Sequence, residues 1–334
     1  VSAMSQKLKN GVRSAGALVA FVAIGLALML ALGPVLQPKS NTAEAGMINA
    51  SSNAFTGEAP DTIDAVFIGD SETYTSLSPM EMWKTHGLAT YNCSTSGQTL
   101  PYCSTFLDRV LKTQHPKVVF LEANALFRRF SYEKVVARAV NDAFPALEHH
   151  DRWKQLTWED FVINPNHTWT DSLKGFKMRF VHKAPNQAKI AENEALHPLK
   201  TNIPARNLAI LESMNERCKE HGAQLVVVAT PSIINWNEER QATMEKVSAE
   251  TGIPFLNMND GEHKVDIDWN CESYDGGDHV NYAGALKVSE MMADVLVNQY
   301  GLQDHRGDAA YDSFANALPE YEALVEKKQP TALD

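Results

Sequence analysis

From Ala15 to Leu36 the chain runs through 22 residues without a charged side chain, and about 20 such residues in a helix cross a hydrocarbon core ~30 Å thick. In water such a helix would be apolar on every side, so the run constrains its segment more than any other feature of the sequence. Lys7, Lys9 and Arg13 precede it. The positive-inside rule therefore assigns residues 1–13 to the cytoplasm, 14–37 to a single membrane anchor, and the chain beyond Pro38 to the far side. A cleaved signal peptide is the second reading, because Ala43-Glu44-Ala45 has the small-x-small form of a cleavage site; the apolar run is, however, longer than the roughly 7 to 15 residues of a signal core. Under either reading the body is extracytoplasmic, and under the first the protein is a single-pass cell-membrane protein.

The body is globular by composition. Of 334 residues, 44% are hydrophobic and 21% charged, enough apolar material for one large or two modest folded units. Net charge is −11, although the first 43 residues hold four Lys/Arg and no acid. So acidic a body excludes a sequence-independent nucleic-acid binder, whose affinity would rest on Lys and Arg neutralising phosphates. Cys93, Cys103, Cys218 and Cys271 all lie in the body, and an even number in an oxidising compartment suits disulfides. Cys93 and Cys103 are near enough in sequence to close a local loop and are the expected pair; four free thiols are the alternative. Zinc needs clustered ligands such as C-x2-C, and with no such spacing neither a metal nor a cofactor is expected.

Residues 38–60, rich in Ser, Asn, Ala and Gly without periodicity, read as a tether from membrane to body. Beyond it, Asp64-Ala-Val-Phe-Ile-Gly69 is a short apolar run ending at a glycine, the form of a buried strand leaving a sheet through a tight turn. Strands are likewise expected at 89–92, 117–122, 224–230 and 254–258, with helices at 79–86, 102–114, 204–221, 238–251 and 283–300. This alternation predicts a mostly parallel sheet covered by helices on both faces, within a domain spanning 61–301. The rhythm fails over 130–203, which reads as an insertion supplying a lid or substrate wall, or else a packing subdomain remote from the site. Residues 302–334 read as a C-terminal tail.

Ile68-Gly69-Asp70-Ser71 sits where the first parallel strand ends, the edge at which catalytic groups of α/β sheets collect. A serine on that turn is presented to solvent, and its own N–H at the helix start is available to an oxyanion. Taken alone, Asp70 and Ser71 are equally ordinary turn and N-cap residues. A second cluster, Tyr274-Asp-Gly-Gly-Asp-His-Val-Asn-Tyr-Ala-Gly284, precedes the last helix. Serine becomes a nucleophile when a base takes its proton, and the base works best when a carboxylate fixes its tautomer. His279 with Asp275 or Asp278 supplies both from one loop.

On these residues the chain resembles the SGNH, or GDSL-type, hydrolases, through Gly69-Asp70-Ser71 and the His279-to-Gly284 stretch, over roughly 62–128 and 204–300. The resemblance implies a flavodoxin-like three-layer α/β/α SGNH-hydrolase fold, with Ser71 as nucleophile and His279 as base. It further implies an oxyanion hole built from Ser71 N–H, Gly97 N–H and Asn124. Two positions depart from the family pattern. An Asp three residues before the histidine would fall on Gly276, so Asp275 is preferred to Asp278, and Asn124 stands in Glu122-Ala-Asn124 where the family has Gly-x-Asn-Asp.

The anchored arrangement is similar to SGNH-like proteins that act on bacterial surface polymers, in teichoic acid D-alanylation and polysaccharide O-acetylation. That implies an esterase or O-acyltransferase acting on acyl groups of a cell-surface glycan or polymer, beside a membrane-bound O-acyltransferase. The alternative is a catalytically inactive glycan-binding or scaffold protein with the same fold. Within the insertion, Trp153, Trp158 and Trp169 with His149, His150, His167, His182 and His197 are the candidate glycan surface, or else ordinary core aromatics and solvent-facing histidines.

Overall fold

The computed structural model describes residues 2–328; the expectation for 329–334 lies outside them. Five parallel strands, β1 (Ala65–Ile68), β2 (Thr90–Asn92), β3 (Val118–Glu122), β4 (Gln224–Ala229) and β5 (Phe255–Asn257), form one sheet in the order β2-β1-β3-β4-β5. This is the doubly wound order with its switch point between β1 and β3. The helices are α1 (Ser2–Leu36), α2 (Ser71–Ser76), α3 (Pro79–His86), α4 (Leu100–Val110), α5 (Tyr132–Ala143), α6 (Gln187–Leu196), α7 (Ala205–Glu220), α8 (Glu238–Thr251), α9 (Tyr282–Asn298) and α10 (Asp312–Lys328). Shorter turns of helix are named by residue.

Because side chains alternate across a strand, the two faces of the sheet have separate cores. Val66, Ile68, Val119, Leu121, Leu225 and Val227 point to one face, where Phe106 and Leu107 of α4 and Leu211 and Met214 of α7 cover them. Ala65, Phe67, Val118, Phe120, Val226 and Val228 point to the other, beneath Val288, Met292 and Leu296 of α9. The spacing of four along α9 is the apolar stripe a covering helix requires. Each fully buried side chain of this size contributes about 1.5–3 kcal/mol. The result is the three-layer α/β/α architecture expected from the sequence.

Several expectations are corrected. Residues 38–60 are no free tether: Asn41, Ala54 and Phe55 are buried, and Asn41 exchanges side-chain hydrogen bonds with the backbone of Trp169. Nor is 302–328 a tail. Phe314 and Tyr321 of α10 are buried, and Phe314 stacks on Trp83 of α3 with ring centroids 5.2 Å apart. Lys174, from the insertion, donates to Glu58 at 2.8 Å and to Ser313 Oγ at 2.8 Å, so one buried ion pair joins all three segments expected to lie outside the core. Cys93 and Cys103 are buried free thiols. Gln98 donates to Cys103 Sγ at 3.4 Å, and burial pushes both thiols up in pKa.

Candidate active site

At the end of β1 the backbone turns sharply into α2. A Cβ on Gly69 would lie 2.1 Å from Thr73 Oγ1 and 2.5 Å from Glu122 Cβ, so only glycine lets the turn seat against β3. Asp70 caps α2 by accepting from Glu72 N–H at 3.0 Å, and its carboxylate pairs with Arg128. Ser71 opens the helix half-buried. Beside it, the chain leaving β2 follows β1: Cys93 N–H bonds Phe67 O at 2.7 Å and Thr95 N–H bonds Gly69 O at 3.4 Å. Gly97 follows with φ +61°, near the Arg128 guanidinium.

Among the described residues neither Ser71 N–H nor Gly97 N–H has an internal hydrogen-bond partner. Asn124, buried just beyond β3, accepts from Arg240 Nη1 at 3.0 Å through Oδ1. Its Nδ2 is left unclaimed. All three groups are thus donors without an internal acceptor at the carboxyl edge of the sheet, the condition an oxyanion site requires.

The loop before α9 carries the histidine. Asp275 Oδ2 lies 2.5 Å from His279 Nδ1, and Asp275 Oδ1 accepts the His279 backbone N–H at 3.0 Å. Asp278 Oδ2 is farther from the ring, at 3.6 Å. Gly276 and Gly277, with φ +100° and +107°, make this fold-back available; a Cβ on Gly277 would also sit 2.5 Å from Ile233. Two left-handed residues between acid and base thus bring a carboxylate four positions upstream back onto the imidazole. Tyr274 stacks on the ring with centroids 5.3 Å apart. Burial acts to lower the His279 pKa, but the Asp275 hydrogen bond and the charges of Asp278, Asp275 and Asp70 outweigh it and raise the group above its ordinary value. Asp275 is held low despite burial by its bonds to His279. Burial raises Asp278, assisted by the charges of Asp275 and Asp70 and opposed by His279.

The two motifs meet through a residue the sequence reading missed. Asn235 Nδ2 donates to both Glu72 Oε1 and Asp278 Oδ1, so the neighbours of Ser71 and of His279 share one amide. Ser71 Oγ makes no hydrogen bond to the imidazole among the described residues. Glu72 and Glu122 are buried acids beside this junction; burial, followed by the charge of Asp70, pushes Glu72 well up and Glu122 to about 8. Arg128 and Arg240 supply the opposite charge. Such buried groups lie in no local motif, and only the strand order brings them together.

A cleft of about 680 Å³ opens beside this loop, between α6 and residues 233–237, with Asp275, Gly276, Lys183, Lys189, His197 and Trp236 on its walls. The insertion supplies one wall of this cleft through α6. Trp153 and Trp158 are exposed on segments that pack at α1, and Trp169 packs on the core, so the cleft's tryptophan is Trp236.

Fold and site together define a doubly wound α/β domain with an Asp-His pair and a strand-end serine at its carboxyl edge. No family model and no curated protein matches the chain. Solved structures resemble it in outline. TesA shares 13% identity, with 71% of this chain and 98% of that one covered at a TM-score of 0.35. The psychrotrophic esterase EstA from Pseudoalteromonas sp. shares 11%, with 71% and 99% covered at 0.35. A GDSL-like lipase from Bacteroides thetaiotaomicron shares 14%, with 71% and 87% covered at 0.33. The architecture itself rests on the strand order and layer packing described above.

Proposed function

We propose that this chain is a serine esterase or O-acyltransferase, anchored by α1 on the extracytoplasmic face, that handles acyl groups of a surface glycan or polymer. The observation that carries the chemistry is Asn235, which ties the residue after Ser71 to the residue before an Asp275-oriented imidazole. In this reading Ser71 Oγ attacks the acyl carbonyl carbon while His279 Nε2 takes its proton. Ser71 N–H, Gly97 N–H and Asn124 Nδ2 stabilise the oxyanion, and Asp275 stabilises the imidazolium. Collapse breaks the ester bond as His279 returns the proton to the departing alkoxide. Water or an acceptor hydroxyl then repeats the sequence on the acyl-enzyme, giving hydrolysis or transfer. The missing Ser71-to-His279 bond accords with a resting site, since such contacts tighten when substrate fills them.

The Asp275 partner of His279 favours this reading over a non-catalytic glycan-binding or scaffold role, for which the lack of a Ser71 Oγ bond to the ring would speak. Labelling by a fluorophosphonate ester separates the two. Wild type should label and Ser71→Ala should not; equal labelling of both would remove Ser71 as nucleophile. Supply of acyl groups by a membrane-bound O-acyltransferase belongs to the same proposal, and co-purification in mild detergent tests it.

A further inference from the structure

The part of the insertion that turns away from the cleft gathers at the foot of α1. Within Gly11–Leu36 the most apolar 18-residue stretch has a mean hydropathy of 2.6 and holds no buried residue. Fully buried positions begin near its end, at Gly33 and Leu36. There Arg152 Nη1 donates to Leu36 O at 2.9 Å and Gln37 O at 2.7 Å, satisfying carbonyls at a helix end that has no basic residue of its own. The body thus starts where the apolar helix stops, with no slack chain to hold it away.

The segments Pro145–Glu148, His150–Gln155 and Glu159–Val162 pack against α1, and they and the residues between them carry large apolar side chains that are exposed. Trp158 is 76% exposed, Trp153 64% and Phe161 57%. Along α5, exposed Tyr132, Val136 and Val140 repeat every four residues and form an apolar groove closed by Leu147. Exposed apolar side chains grouped in this way mark an interaction site, and Trp and Tyr are the side chains that favour the membrane-water boundary. Arg152 pairs with Asp160 at 2.8 Å and Lys154 with Asp151 at 2.9 Å, while residues 132–163 together hold six Asp/Glu and four Lys/Arg.

We propose that residues 132–163 form a lipid-contacting surface that lies in the interfacial layer of the bilayer crossed by α1, with Trp153, Trp158 and Phe161 among the acyl chains and headgroups. It rests on the anchor reading of α1. The occupant is lipid because the segments that carry the exposed tryptophans pack against the emerging end of an apolar helix, and so lie near the headgroup layer of the membrane that helix crosses. With its four bases outnumbered by acids, the surface draws on apolar burial and not on anionic headgroups, so zwitterionic lipid suffices. The body is thereby fixed against the bilayer, and the cleft stays within reach of acyl donors at the membrane surface.

The test uses the full chain reconstituted into phosphatidylcholine vesicles, with and without lipid carrying a nitroxide near the headgroup. Flotation and resistance to an alkaline wash report on α1; quenching of tryptophan emission reports on the surface. Wild type should float and be quenched, and Trp153→Phe with Trp158→Phe should float with at least half of that quenching lost and an unchanged melting curve. Flotation with equal quenching in both proteins would overturn the lipid surface and leave the anchor intact, directing the patch to a protein partner or a second copy. Failure to float would overturn the anchor reading and this proposal with it.

Discussion

Asp275 receives two hydrogen bonds from His279, one from the backbone N–H at 3.0 Å and one at ring Nδ1 at 2.5 Å. A carboxylate held at both ends cannot swing away, so ring orientation and tautomer are set together. Asp278, at 3.6 Å, is directed instead to Asn235. Asp275→Asn should therefore lower kcat by about 10⁴-fold, the cost of the wrong tautomer, whereas Asp278→Asn should cost less than about tenfold. Equal losses in steady-state ester hydrolysis would deny Asp275 this role, and a larger loss at Asp278→Asn would reverse the assignment.

The pH dependence follows from the environment of the ring. Burial lowers the His279 pKa, but the Asp275 bond and the surrounding carboxylates raise it above 6.5 on balance. Only the neutral imidazole accepts a proton, so kcat/KM should rise with pH through an apparent pKa above 6.5. Removing the Asp275 charge should move the titration of the His279 ring, followed by NMR, toward lower pH. A titration unchanged by Asp275→Asn would deny that this carboxylate sets the pKa.

Stability should carry the signature of Glu122. Its folded pKa is pushed up to about 8 by burial, then by Asp70, against hydrogen bonds from Thr230. The folded state then keeps a proton that the unfolded state releases near pH 4.5, so this group's contribution is present at low pH and is lost as pH rises to about 8. The slope is up to about 1.4 kcal/mol per pH unit. Glu122→Gln should flatten the decline in urea midpoint between pH 5 and 8; parallel declines would show that Glu122 does not titrate in this range.

Lys174 and Glu58 are both fully buried and 2.8 Å apart. Lys174→Met would leave Glu58 uncompensated and should cost about 3–5 kcal/mol, while Lys174→Met with Glu58→Met should recover much of it, because two apolar groups replace a pair that had to be desolvated. Thermal melts of the two variants decide; a double variant as unstable as the single one would show that packing around Ser313, and not the pairing, holds the three segments together.

The strands and most of their covering helices were legible because a buried parallel strand is a run of apolar residues and a covering helix repeats its apolar side chains every three to four positions. The same local signals marked Gly69, Ser71, Asp275 and His279, since a turn and a loop before a helix are written in neighbouring residues. Asn235, Arg128 and Arg240 carry no such signal. They reach the site from other strand ends, where partner and burial depend on contacts far apart in sequence. The segments 38–60 and 302–328 were misread for that reason: their composition is polar on average, and a few side chains, Phe55, Phe314 and Tyr321, bury them. Sequence alone determined which residues form the sheet, its helices and the apolar span. Tertiary structure decided which carboxylate holds His279 and which half of the insertion faces the cleft, because both depend on where the chain folds back and neither on local periodicity.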